Sequence, residues 1–166
     1  LLSGGLSTSQ TVTDNCEVMA ALPELAGANS APSRFCNVSP PWSAATQLKF
    51  SGTYTLPYDV RLGGTFQNIP GLATTASYVT VGNTPEIVSQ LGRALSGGRQ
   101  AQVELIEPQT DYREGRITML SFNVSKIFRF GGTRIEPTAA IFNALNANPV
   151  QIQTTRYGPA WRNVTG

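Results

Sequence analysis

The sequence predicts an all-β protein of antiparallel strands, joined alternately by very short turns and long polar loops. Three observations carry that prediction. Two stretches, 45–67 and 117–145, each read as a pair of alternating apolar and polar runs folded about a tight turn. Charged residues are only 13% of the chain, about half the usual share, while Gly, Ser, Thr, Asn and Gln are plentiful. The 166 residues can hold one domain with a sizeable core, yet contain no run of some 18 apolar residues that would make a transmembrane helix.

Taken in order, residues 1–12 read as the end of a strand weakened by Gly4-Gly5. Residues 13–41 form a long loop carrying Cys16, Cys36, Pro23, Pro32 and Pro40-Pro41. Paired, the two cysteines would close a loop of about 20 residues and contribute roughly 3 kcal/mol by limiting the unfolded chain. Two free thiols in a reducing compartment are the alternative. The disulfide is favoured because it staples a segment with no other means of ordering, and it argues for a periplasm or cell exterior. After Trp42, residues 45–56 alternate in a nearly unbroken period of two: Leu48, Phe50, Gly52, Tyr54 and Leu56 against Gln47, Lys49, Ser51, Thr53 and Thr55. Pro57-Tyr58-Asp59 turns the chain and 60–67 returns, so that Tyr54 meets Leu62, Gly52 meets Gly64 and Phe50 meets Phe66. Thr55 then meets Arg61, Ser51 meets Thr65 and Lys49 meets Gln67.

Residues 68–115 lack a sustained period, and only 78–81 and 102–106 look strand-like. Runs 117–130 and 133–145 flank Gly131-Gly132, a pair suited to the positive φ of a hairpin turn. With that turn, Phe128 faces Ile135, Val124 faces Ala139 and Phe122 faces Ile141 on an apolar face. Ser125 faces Thr138, Asn123 faces Ala140 and Ser121 faces Phe142 on a polar one. One rung breaks the pattern: Lys126 opposite Pro137, both on the apolar side. A lysine at mid-membrane costs roughly 2–4 kcal/mol, falling toward zero near the headgroups, and Lys126 lies close enough to the turn to snorkel. The tail, 146–166, is irregular.

Short turns at 57–59 and 131–132 alternate with long excursions at 13–41, 68–115 and 146–166. Outer-membrane barrels show this asymmetry. Tyr54, Tyr58, Phe128 and Phe130 gather near the short turns and Trp42 at the other end of its strand, as two interfacial girdles require. Parity then demands an even number of strands between 60–67 and 117–130. Zero is expected, with 78–81 and 102–106 pairing as a small hairpin within a single outer excursion.

Asp59–Gly71 (DVRLGGTFQNIPG), QLGR at 90–93, SKIFRFG at 125–131, FNALNANPV at 142–150 and YGPAW at 157–161 follow one another in an order and spacing that are fairly specific together. In these the chain resembles the C-terminal barrel region of TonB-dependent outer-membrane receptors, in the group with an N-terminal carboxypeptidase-regulatory-like domain. The resemblance implies a bacterial outer-membrane barrel of about 22 strands around a plug, serving uptake of a substrate it does not identify. The plug, the segment that engages TonB and the final strand ending in an aromatic have no counterpart here. The sequence stops at Gly166 where that strand would begin, so the chain reads as cut from something longer. No energy-coupling residue can be carried over.

Other chemistries are poorly served. The net charge of +2 does not suggest nucleic acid. Histidine is absent, which removes most hydrolase triads, most zinc sites and haem ligation by His. Glu104, Glu107, Asp111 and Glu114 form an acidic cluster that reads as solvated loop charges rather than an acid/base pair. Gly97-Gly98-Arg99 lacks the Gly-Lys-Ser/Thr ending of a phosphate loop. Three Asn-Val-Ser/Thr sequons, at Asn37, Asn123 and Asn163, arise by chance in so Ser/Thr-rich a chain. Tyr112, Tyr157 and Trp161 are candidate ligand-contacting loop aromatics, with interfacial anchoring or loop packing the more favoured role. No catalytic residue, cofactor or metal site is assigned, and no enzyme is expected. The expected partners are outer-membrane lipid and the rest of a barrel and plug, or other copies of the chain. In that second case the protein is a secreted or surface β-rich structural protein, a self-associating fibre subunit at the extracellular surface. Either way, five strands cannot close a barrel, and the chain is not expected to work as an isolated monomer.

Overall fold

The structure, a computed structural model, describes residues 1–22, 35–94, 100–110 and 112–165. Pro23, Pro32, Gly97-Gly98-Arg99 and Asp111 lie outside the described residues. In chain order the strands begin with β1 (Leu2–Ser7), β2 (Thr13–Asp14), β3 (Asn37–Val38), β4 (Gln47–Leu56) and β5 (Val60–Ile69). They continue with β6 (Ser77–Val81), β7 (Gln100–Glu104), β8 (Ile117–Lys126), β9 (Phe128–Phe130), β10 (Thr133–Ile135) and β11 (Thr138–Ile141). Two short helices, α1 (Cys16–Ala21) and α2 (Pro85–Leu91), complete the elements used below. The protein is β-rich, and every strand pair is antiparallel.

The chain divides into two compact units. The first comprises Leu1–Ser9, Trp42–Gly71 and Gly115–Pro149. Its centre is a five-stranded sheet in the order β1-β4-β5-β8-β11, with β9 and β10 continuing as a hairpin. The expected registers form: Phe50 pairs with Phe66, Tyr54 with Leu62 and Lys49 with Gln67, while Val124 pairs with Ala139 and Phe122 with Ile141. Strand β5 pairs directly with β8 along ten rungs. The intervening β6 and β7 pair with each other, Tyr78 against Val103, and contribute no strand to this sheet.

Three details depart from the sequence expectation. The run 117–130 is interrupted at Ile127, whose amide leaves the ladder to donate to the Asp59 carbonyl at 3.0 Å, and whose side chain is buried. Residues 133–145 form two short strands parted at Glu136-Pro137, since proline offers no ladder donor. Ser121 does not pair with Phe142. The ladder ends at Ile141, and the Ser121 hydroxyl instead accepts the Asn143 amide at 3.1 Å. Asn143 has φ 51, a left-handed conformation that asparagine tolerates better than most residues.

The turns behave as their residues dictate. Gly131 takes φ +58 while Gly132 does not need positive φ, which suits a primed turn with glycine first. Tyr58 and Asp59 both adopt positive φ. Aspartate tolerates that conformation, while at Tyr58 glycine would be easier and the chain accepts a local cost of about 1–2 kcal/mol. At the other end of the sheet Arg116 acts as a clamp. It donates to Asn68 Oδ1 at 2.7 Å, to the Thr46 carbonyl at 2.7 Å and to the Ser43 carbonyl at 3.3 Å, tying the start of β8 to the approach to β4 and the end of β5.

The second unit comprises Gln10–Pro41, Leu72–Glu114 and Val150–Gly166. The β6–β7 hairpin receives the tail on one side: Ser77 and Thr155 join by a 2.9 Å backbone bond, Tyr157 and Ser77 by one of 2.7 Å. Thr74 and Gln153 are buried and satisfy each other at 2.7 Å. The sequence reading leaves 85–91 within an irregular stretch, yet helix α2 forms there and its signals are present. Thr84 precedes Pro85 at the first turn, and Gly92 closes the end with φ 69.

Candidate functional site

The two faces of the five-stranded sheet differ in chemistry. Because successive side chains alternate, the pairings place whole rows on one side. One row runs Leu2, Gly52, Gly64, Phe122, Ile141; its neighbours run Gly4, Phe50, Phe66, Leu120 and Tyr54, Leu62, Val124, Ala139. The rungs that end this apolar band are mixed, each bringing in polar or charged side chains beside Leu or Val. At one end stands Leu48–Asn68–Thr118, where the Asn68 amide donates to Thr118 at 2.6 Å. At the other stands Leu56–Val60–Lys126. Phe50 and Phe122 stay 44% and 45% exposed, so the band is an open surface rather than a core.

The opposite face carries Ser3, Ser51, Thr65 and Ser121 in one row, with Ser3 and Ser51 hydrogen-bonded at 2.9 Å. Toward the short turns it becomes charged. Glu136, between β10 and β11, accepts from Arg134 at 2.6 Å, Ser125 at 3.1 Å and Arg61 at 3.4 Å. The Arg134 hydrogen bond first, and then that from Ser125, holds the Glu136 carboxyl below its ordinary value. Arg129 forks onto both oxygens of Asp59. Arg129 and Arg134 stand directly opposite each other, a like-charge pairing that these carboxylates offset.

In the second unit the three candidate aromatics come together. Tyr112 and Trp161 meet edge to face with centroids 6.2 Å apart, and Tyr157 lies 5.7 Å from Trp161. The indole N–H is not free for a ligand, since it donates to the Thr75 carbonyl at 3.0 Å. Arg162 sits 6.0 Å from the Trp161 ring centroid and pairs with Glu114 at 3.0 Å. Trp161 therefore anchors the cluster, while Tyr112 and Tyr157 offer its exposed surface. Arg162 follows Trp161 directly in sequence, whereas no sequence period links Thr75 and Glu114 to positions so far apart.

Cys16 and Cys36 are joined, with Cα atoms 4.8 Å apart. The bridge closes the neck of a loop already held by the two rungs of β2–β3. Asp14 binds there twice, accepting from the Cys16 amide at 3.0 Å and from Asn37 at 2.9 Å. Of the acidic residues, Asp111 lies outside the described residues. Glu114 serves Arg162, and Glu104 accepts from Gln102 at 3.1 Å while its other oxygen is buried with no partner among the described residues. Among the described residues no group of His, Cys, Asp and Glu has a metal-binding arrangement, and no helix is long and apolar enough to cross a membrane. No family model matches the chain, and neither a curated protein nor a solved structure does so.

Proposed function

We propose that the chain is part of the wall of a bacterial outer-membrane β-barrel of the TonB-dependent receptor type, working in substrate uptake rather than catalysis. The observation that carries this reading is the bounded apolar band on one face of an antiparallel sheet whose other face is polar and charged. Strands β4, β5 and β8 are each ten residues long, a length that suits a tilted strand crossing the hydrocarbon layer, about 9–11 residues. On this reading lipid covers the apolar face and the polar face turns toward the lumen. The short-turn end is then periplasmic, and the long excursions are external. Strands β1 and β11, at the two ends of the order, would pair with the rest of the barrel, because unpaired backbone groups are not tolerated in lipid. The polar excursions, with their aromatic cluster, would meet the substrate.

Strands β1 and β11, whose outer edges pair with no other strand among the described residues, also favour a second reading, a surface structural protein that polymerises through those edges and apolar faces. Sedimentation of the purified full chain separates the two. The wall reading expects aggregation in plain buffer and a folded, dispersed species only in detergent. An ordered polymer stable in plain buffer would select the structural protein. A well-folded monomer there refutes both.

A further inference from the structure

On the apolar face, among the described residues of the five-stranded sheet, one position is charged: Lys126. Its neighbour across β5 is Val60, and its amide donates to the Pro137 carbonyl at 3.2 Å. From this last rung of the sheet the side chain points on toward the short turn. Its ammonium lies 5.1 Å from the centroid of the Phe128 ring, on the side of the short turn. Phe128 in turn stacks with Phe130, with centroids 6.2 Å apart and planes 10° from parallel. Phe130 is 63% exposed, and Tyr58 at the other short turn 88%. Arg61, Arg129 and Arg134, by contrast, all have carboxylate partners, whereas among the described residues no carboxylate pairs with Lys126.

We propose that Lys126, with Phe128 and Phe130, binds the phosphate of an anionic phospholipid headgroup at the short-turn end of the apolar face. An ammonium on an aromatic ring keeps donors free on its other side, and a phosphate supplies both acceptors and the missing countercharge. Aromatic rings at the boundary of an apolar band sit at headgroup depth, and the turnward course of the lysine stem is the one a snorkelling side chain takes. This site rests on the barrel-wall reading. Charge complementarity selects an anionic lipid over a zwitterionic one.

The test uses the full chain in zwitterionic detergent, titrated with phosphatidylglycerol or phosphatidylcholine while the amide resonances of Lys126, Phe128 and Phe130 are followed. Phosphatidylglycerol should bind about fivefold more tightly, the factor one lysine contributes near an anionic lipid. Lys126→Gln should abolish that preference and Lys126→Arg keep it. Lys49→Gln, on the opposite face, should leave it intact. A preference that survives Lys126→Gln, or disappears equally in Lys49→Gln, overturns the site. Inorganic phosphate reproducing the shifts at equal concentration overturns the lipid assignment. A chain that needs detergent yet shows no preference disproves this site alone. If the chain is instead a soluble monomer, the wall reading falls, and the same titration with water-soluble short-chain lipids still decides the site.

Discussion

Gly4 stands directly across from Phe50, and the phenylalanine ring occupies the space a side chain would need. A Cβ at Gly4 would collide with that ring and come within 2.6 Å of the Lys49 carbonyl oxygen, which is backbone and cannot swing aside. Gly5, one residue on and facing the other way, has nothing within 4 Å of such a carbon. Gly4→Ala should therefore cost about 1–3 kcal/mol through overpacking, while Gly5→Ala should be near neutral. Urea midpoints of the two variants check this, and equal midpoints would contradict the register of β1. Glu136 gives a second test at this scale. Its carboxyl is held below the ordinary value by Arg134 and Ser125, so the stabilisation is fully present above the ordinary carboxylate range and is lost as pH falls through the lowered value. Protection factors in β10 and β11, each taken against the intrinsic exchange rate at that pH, should fall on acidification through that window. Glu136→Gln should flatten the response, and an unchanged pH profile in that variant would discard the linkage.

Among the elements, the neck formed by β2 and β3 depends most on one covalent link. Two rungs of ladder and the Asp14 contacts are too little to hold so long a loop closed. Replacing both Cys16 and Cys36 by serine should cost about 3 kcal/mol and release the neck, while the β4–β5 pairing persists. Exchange rates at Asn15 and Asn37 against those at Phe50 and Phe66 read this out. Protection retained at the neck would mean the disulfide is dispensable there. The hairpin elements were readable because alternation and turn chemistry agree. Glycine pairs with glycine, aromatic with aromatic and hydroxyl with hydroxyl across β4–β5, so a slip of one residue would put each side chain on the wrong face. The interruptions at Ile127 and Glu136-Pro137 were less readable. Proline announces the second, but only the approach of the Asp59 carbonyl from the neighbouring turn explains the first.

At the scale of the whole molecule, the reading of the sheet as a membrane wall makes the two faces unequal toward charge. Phe122→Arg places a cation in the middle of the apolar band, between Gly64 and Ile141. Thr65→Arg places one on the polar face, between Ser51 and Ser121. In bilayers the first should cost roughly 2–4 kcal/mol of folding stability and the second far less, since lumen positions remain hydrated. Folding titrations into vesicles measure both. Equal penalties would argue against lipid on the Phe122 side.

Strict alternation, with turns at 57–59 and 131–132, was enough by itself to determine the antiparallel hairpins and their registers, because those pairings are local and a period of two has few competing solutions. It also set the chemistry of each face, down to the misfit of Lys126. What only the tertiary structure decided were the contacts between distant segments: β1 against β4, the Arg116 clamp, and Trp161 anchored to Thr75 with Tyr112 and Tyr157 around it. Apart from Tyr157 and Trp161, these join positions tens of residues apart, through a ladder at β1–β4 and through side-chain hydrogen bonds or ring contacts elsewhere. The side-chain contacts leave no periodic trace in the chain, and the partner of a strand is not written in its own period, since each is selected by neighbours distant in sequence rather than by local spacing.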